Sequence, residues 1–252
     1  MKTIVVANQK GGIGKTTTAT TIASMIEQKG YNTLLIDADM QGNSTDTYKA
    51  LYEGQATLYD VLLETDRIPI KEAIQSTDSG KIVASDPLLR RADEILNGNV
   101  DGLYRLKDAL AELHDFDYVI IDTAPSMNSL LFNALIAADE VIIPVTADRY
   151  ALQGLSQLNE SIVAIKKRQN EKLKISGLLL VKFNERTNLS KEVKESLNKI
   201  AEQMQTKVFT TTIRESIKVK EAQAVRKPLI KYAPSSTTAL DYMAFVDELV
   251  KE

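Results

Sequence analysis

The sequence predicts a single α/β domain: a mainly parallel central sheet flanked by helices on both faces. Six runs, TIVVA (3–7), TLLID (33–37), KIVAS (81–85), YVIID (118–122), EVIIPV (140–145) and ISGLLLVKF (175–183), are nearly unbroken in Val, Ile and Leu rather than alternating. Strands covered on both faces require such runs. Helical periodicity fills most of the gaps between them, the pattern of strands joined by right-handed helical crossovers. No repeat, low-complexity segment or Pro/Gly/Ser-rich linker divides the 252 residues, which are ample for one continuous core.

Taken in order, the strand at 3–7 enters a glycine-rich loop and then a helix over Thr16–Lys29. The strand at 33–37 precedes the least regular stretch, 40–80, which is expected to include short helices such as TLYDVLLET. The later strands alternate with helices over Leu103–Leu113, Met127–Ala137, Leu152–Arg168 and Ser190–Met204. A weaker strand, KVFTT (207–211), and a helix over Ser236–Val250 complete the chain. Ligands in such sheets bind beyond the carboxyl ends of the strands, so the loops after strands are where chemistry is expected.

Composition narrows the chemistry. A 44% hydrophobic, 26% charged chain is ordinary for a soluble globular protein. No window reaches the roughly 18 apolar residues of a membrane span, and MKTIVVANQK lacks a signal peptide's apolar run, so a cytoplasmic location is expected. With no cysteine, disulfides, thiolate zinc sites and cysteine-ligated iron–sulfur clusters are excluded. The one histidine, His114 in AELHDFDYV, reads as a surface turn residue. Residues 1–145 carry 12 Lys/Arg against 21 Asp/Glu, and 146–252 carry 19 against 13, so a net charge of −3 conceals halves of −9 and +6.

The loop after the first strand is KGGIGKTT, Lys10 to Thr17. Gly11, Gly12 and Gly14, with Ile13 among them, let backbone N–H groups curl around phosphates. The following helix adds its partial positive charge, Lys15 neutralises phosphate oxygens, and the Thr16 hydroxyl is placed to ligate Mg2+. This is a P-loop NTPase signature in strand–loop–helix context. It departs from the ordinary pattern at Gln9, where a glycine is usual, and by a second lysine at Lys10. Lys10 is either a solvated surface lysine or a second phosphate cation. LLIDADMQGN brings Asp37 and Asp39 to one strand end, and YVIIDTAPS brings Asp122 to another. A lone Asp there could be a helix cap, but three joined to a phosphate loop form a site.

KGGxGK[ST], with D-x-D-x-Q-G-N, resembles the deviant Walker-A loop of the ParA/MinD group of P-loop ATPases. ADRYALQGLSQL (147–158), LLLVKFNERTNLSKEV (178–193) and EAQAVRKPLIKYAPSSTTALDYMAFVDELV (221–250) resemble the bodies of ParA proteins of the Soj type. The resemblance implies ATP and Mg2+ as cofactors, an ATP-dependent sandwich homodimer, non-specific double-stranded DNA binding, and hydrolysis, weak alone, that a ParB-type partner stimulates to release the protein. It implies a cytoplasmic protein, on the nucleoid when ATP-bound, that segregates a plasmid or chromosome. By this resemblance Lys10 reaches the partner's phosphates across the dimer, Asp39 orients the attacking water, and Thr16, Asp122 and Asp37 hold the metal or its water shell. Lys10, Lys15 and Asp39 are thus the catalytic set, with Gly11 to Thr17 around the phosphates.

Departures are Met40 and Ala124 in place of family prolines, and Arg214 where a proline usually lies against adenine, so Arg214 is expected to stack there, with Asn184 contacting the base. Lys218 falls on the family's DNA-contacting position, and Lys220, Arg226 and Lys227 lie near it in sequence. Any one of these is equally an ordinary solvated cation, but phosphate contacts need no base-reading residues beside them.

Two alternatives stay open. A MinD-like membrane-cycling ATPase shares the loop, although LDYMAFVDELVKE, with one lysine, lacks the basic face that anionic lipid would attract. A small-molecule ligase of the dethiobiotin synthetase kind shares the fold. No helix-turn-helix domain is expected ahead of a loop that starts within ten residues of Met1.

Overall fold

The computed structural model describes residues 1–148, 151–183 and 188–250. The chain runs β1 (Lys2–Val6), α1 (Lys15–Gln28), β2 (Thr33–Ala38), α2 (Asn43–Tyr48), α3 (Leu58–Leu62), β3 (Ile74–Thr77), β4 (Gly80–Val83), α4 (Ala92–Asn97), α5 (Arg105–Ala111) and β5 (Tyr118–Thr123). It continues through α6 (Ser129–Ala137), β6 (Glu140–Thr146), α7 (Ala151–Arg168), β7 (Lys174–Phe183), α8 (Asn188–Gln203), β8 (Ile213–Arg214), α9 (Ile217–Ala224), α10 (Leu229–Tyr232) and α11 (Thr237–Val250).

Among the described residues eight strands form one sheet in the order β3-β4-β2-β5-β1-β6-β7-β8. Every pairing is parallel except the β3–β4 hairpin at the edge. Strand alternation splits the apolar side chains into two cores. Ile4 and Val6 of β1, Ile120 of β5 and Ile142 of β6 pack under α1 and α11; Val5, Val119, Ile121, Val141 and Ile143 face α3, α6 and α7. Ile4, Val5, Ile120, Ile121 and Ile142 have no exposed surface, each contributing about 1.5–3 kcal/mol by burial. The near-continuous Val/Ile/Leu runs follow from this two-sided cover.

The run at 207–211 is not a strand. Its backbone pairs with β7 through an isolated bridge between Leu178 and Val208, and strand pairing resumes at Ile213–Arg214. Phe209 turns into the core instead, edge-on to Phe245 at 4.8 Å. A methyl group at Gly177 would come within 2.7 Å of the Phe209 ring, so glycine makes room for it. The hairpin partner β3 and the short helices α4, α9 and α10 were not anticipated, whereas α2 and α3 are short helices of the irregular stretch 40–80. His114 is exposed, as expected of a turn residue. Among the described residues no helix is long and apolar enough to cross a membrane.

Candidate nucleotide site

The loop between β1 and α1 needs its glycines for backbone reasons. Gly12 and Gly14 hold φ of +70° and +95°, which side-chain-bearing residues rarely adopt, while a Cβ at either would meet nothing within 4 Å. The curl leaves an open cradle at the start of α1, whose first turn carries no acidic residue to occupy its N–H groups. The cradle floors a cleft of about 530 Å³, within the range of small-molecule sites. Asp39 and Asp46 line one side, and Val181, Lys182, Arg214 and Lys220 line the other.

Lys15 is only 6% exposed, and its Nζ donates to the Lys10 carbonyl at 3.0 Å. Burial pulls its pKa down, against the opposing charges of Asp122 and Asp39. A buried cation with one neutral partner is prepared for an anion.

The carboxylates come from adjacent strands. β5 pairs with both β1 and β2, and the register sets Asp122 beside Val6 on one side and Asp37 on the other. Both are fully buried. Asp37 Oδ2 accepts from the Thr45 N–H at 2.7 Å and the Thr45 hydroxyl at 2.8 Å. Asp122 Oδ2 accepts from the Ser44 hydroxyl at 2.8 Å. Asp39 Oδ1 accepts from the Gln41 N–H at 3.0 Å, and the Asp39 carbonyl accepts from Ser85 at 2.6 Å. Burial first, and the Asp122 charge second, push Asp37 well above the usual carboxylate range. Asp122 is also raised, by burial and then by Asp39, although the neighbouring Ser44 and Thr16 hydroxyls oppose the shift.

Residues of the Asp37–Thr45 segment therefore close on themselves: Gly42, at φ +63°, turns the chain into α2, whose Ser44 and Thr45 cap the acids. Sequence reasoning missed Ser44 and Thr45; the signal was their place directly after QGN in QGNST. It also missed Lys182, whose Nζ donates to the Gly12 carbonyl at 2.8 Å.

The donor set fits magnesium. Asp122 Oδ1 is buried without a hydrogen-bond partner, an orphan acceptor of the kind a cation satisfies. No group of three His, Cys, Asp or Glu side chains could form a protein cage among the described residues. Mg2+ takes one or two carboxylates and completes its shell with phosphates and water.

The other predicted residues separate. Lys10 does not line its own cleft; its Nζ sits on Asp148 and 3.4 Å from the Thr146 hydroxyl. Arg214 lines the cleft, but its guanidinium forks onto Asp241 at 2.9 and 2.6 Å. Asn184 lies outside the described residues. Lys218 is exposed and paired with Glu221 at 2.7 Å. Lys220 lines the nucleotide cleft, Arg226 is paired with Asp46 at 2.7 Å, and Lys227 is exposed where the chain leaves α9. Of the four cations, Lys220 alone lines the cleft itself.

A family model described as an AAA domain matches residues 1–175. The chain is 37% identical to the chromosome partitioning protein ParA of Myxococcus xanthus, over 98% of this chain and 87% of that one. It is also 37% identical to the sporulation initiation inhibitor protein Soj of Bacillus subtilis, over 98% of each. A cobyrinic acid a,c-diamide synthase from Mycobacterium smegmatis, solved with ADP and magnesium, superposes with a TM-score of 0.85 at 31% identity, over 100% of this chain and 94% of that one.

Proposed function

The chain belongs to the ParA/Soj family of P-loop ATPases, and from that premise we propose that it is an ATP-dependent DNA partitioning protein. Two copies close face to face on Mg2+-ATP, the dimer binds duplex DNA without sequence preference, and a ParB-type partner speeds an otherwise weak hydrolysis and releases it.

The observation that carries this reading is the direction of Lys10. It belongs to the phosphate loop, yet its ammonium turns out of its own cleft onto Asp148 and stays 38% exposed. A loop cation that does not serve its own cleft is available to another copy's phosphates, as arginine fingers are in other NTPases.

Within the closed site each group has a distinct task. Lys15 and the loop N–H groups bind the phosphates. Thr16 and Asp122 would hold Mg2+, with Asp37 on its water shell, and the ion would neutralise charge on the phosphate oxygens. Asp39, at the cleft wall, orients the attacking water and accepts its proton. Arg214 and Asn184 serve the base end. Lys218, Arg226 and Lys227, with Lys220 at the rim, contribute phosphate contacts whose strength falls with salt.

The test is sedimentation of the wild type and Lys10→Ala with Mg2+ and a slowly hydrolysed ATP analogue, then DNA binding across a salt series. The wild type should dimerise and bind DNA only with the ATP form, and Lys10→Ala should remain monomeric. Normal dimerisation and turnover by Lys10→Ala would remove the cross-interface role. ATP turnover driven by a small molecule, with no response to DNA, would favour the ligase reading instead.

A further inference from the structure

Near its carboxyl end β7 breaks its alternation at Lys182, as it does earlier beside Ser176, where the pairing with β6 also slips. Leu178 and Leu180 face the core under α3, α6 and α7, and Leu179 and Val181 face the core under α1 and α11. Phe183 should continue the second set but belongs to the first. The pairing of β7 with β8 slips between Val181 and Phe183, so Lys182 is the extra residue of a bulge. Its φ is +51°, a left-handed conformation that lysine avoids. Bulges re-aim side chains beside active sites, and strained residues persist where surrounding structure determines them.

The re-aimed side chain lines the same cleft as Lys15 and Asp39 and donates to the Gly12 carbonyl. A phosphate loop must turn N–H groups inward and carbonyls away, because a carbonyl oxygen facing the site repels the ligand. An ammonium on Gly12 fixes that peptide's orientation and adds positive charge beside the cradle.

We propose that Lys182 is a nucleotide-positioning residue, which braces the phosphate loop through Gly12 before nucleotide arrives and forms part of the cleft wall with its alkyl stem. The inference rests on the cleft being the nucleotide site. Its action is on the loop that holds the inner phosphates, so ADP and ATP are affected alike.

The test uses Lys182→Gly, Lys182→Met and Lys182→Arg in the full chain, with melting temperature, Mg2+-ADP and Mg2+-ATP affinity, and amide exchange over residues 10–15. Lys182→Gly should melt no lower than wild type, because glycine adopts this φ freely, yet bind both nucleotides roughly tenfold more weakly and exchange its loop amides faster. Lys182→Met, which keeps the stem and loses the charge, should share most of the affinity loss, and Lys182→Arg should recover it. Wild-type affinity in both Lys182→Gly and Lys182→Met would overturn the proposal. So would losses that follow melting temperature and are not rescued by Lys182→Arg. A wild type that binds neither nucleotide would overturn the nucleotide-site reading itself, and this inference with it.

Discussion

At the phosphate end of the cleft, Lys15, Asp37 and Asp122 are at most 6% exposed, and strand register or helix start fixes each of them. At the other end, Arg214, Lys218 and Arg226 are exposed and held by ion pairs to Asp241, Glu221 and Asp46. The buried end cannot lose a partner without stranding a charge in a poorly solvated place, which costs several kcal/mol. Exposed pairs contribute only about 0–1 kcal/mol and can be exchanged without disturbing the fold. Substitution is thus expensive at the buried end and cheap at the exposed one.

Removing the central cation attacks the buried end most directly. Lys15→Ala should weaken Mg2+-ATP binding on the order of 100-fold, read by titration with a fluorescent nucleotide. A change of only a few-fold would mean that the loop N–H groups and Lys182 suffice, and the contrast between the two ends would fade.

A smaller effect is expected from acidity. Asp37 holds its proton to higher pH in the folded protein than in the unfolded chain, so the folded state carries more protons between the two values. The stability this supplies is complete below about pH 4 and is lost as pH rises through about 8. The ligand-free protein should therefore lose thermal stability on going from pH 5 to pH 8, and Asp37→Asn should flatten that decline. At pH 8 the gain should be about 2–4 °C for each kcal/mol recovered. Binding of Mg2+-nucleotide, which favours the carboxylate, should release protons, measurable by calorimetry in buffers of different ionisation enthalpy. A flat melting profile with no proton release would show that the acids are already ionised.

The least effect belongs to the exposed end. Arg214→Ala should cost at most about 1 kcal/mol of stability, measured by urea denaturation. A cost of several kcal/mol would place the Arg214–Asp241 fork with the buried charges and sharpen the boundary between the two ends.

The same contrast decides what could be read from sequence. KGGIGKTT, Asp37, Asp39 and Asp122 were legible because two-sided burial forces unbroken apolar runs, and the acids mark where those runs stop. Ser44 and Thr45 were less so, since a hydroxyl residue after a turn has many ordinary uses. The Arg214 ion pair was hidden because Asp241 lies 27 residues away from strand β8, on helix α11. Lys182 carries no glycine or asparagine to announce a left-handed bulge; a lone lysine inside the apolar run LLLVKF was its only trace. KVFTT looked like a strand from its β-branched and aromatic residues, but its pairing with β7 stops at one bridge, and Phe209 is buried against Phe245.

The strand order has a consequence for how the molecule is made. β1 lies at the centre of the sheet, between β5 and β6, and α1 packs against α11. During synthesis β1 and the phosphate loop are therefore complete long before Tyr118–Thr123 supplies the first neighbouring strand, and longer still before Thr237–Val250 covers α1. At roughly 5–20 residues per second, an apolar segment waits several seconds for its partners. ATP cannot rescue the nascent chain in that interval, because the part of the cleft lined by Val181, Lys182, Arg214 and Lys220 has not yet been translated. The early segments of this protein are consequently the ones most in need of protection on the ribosome.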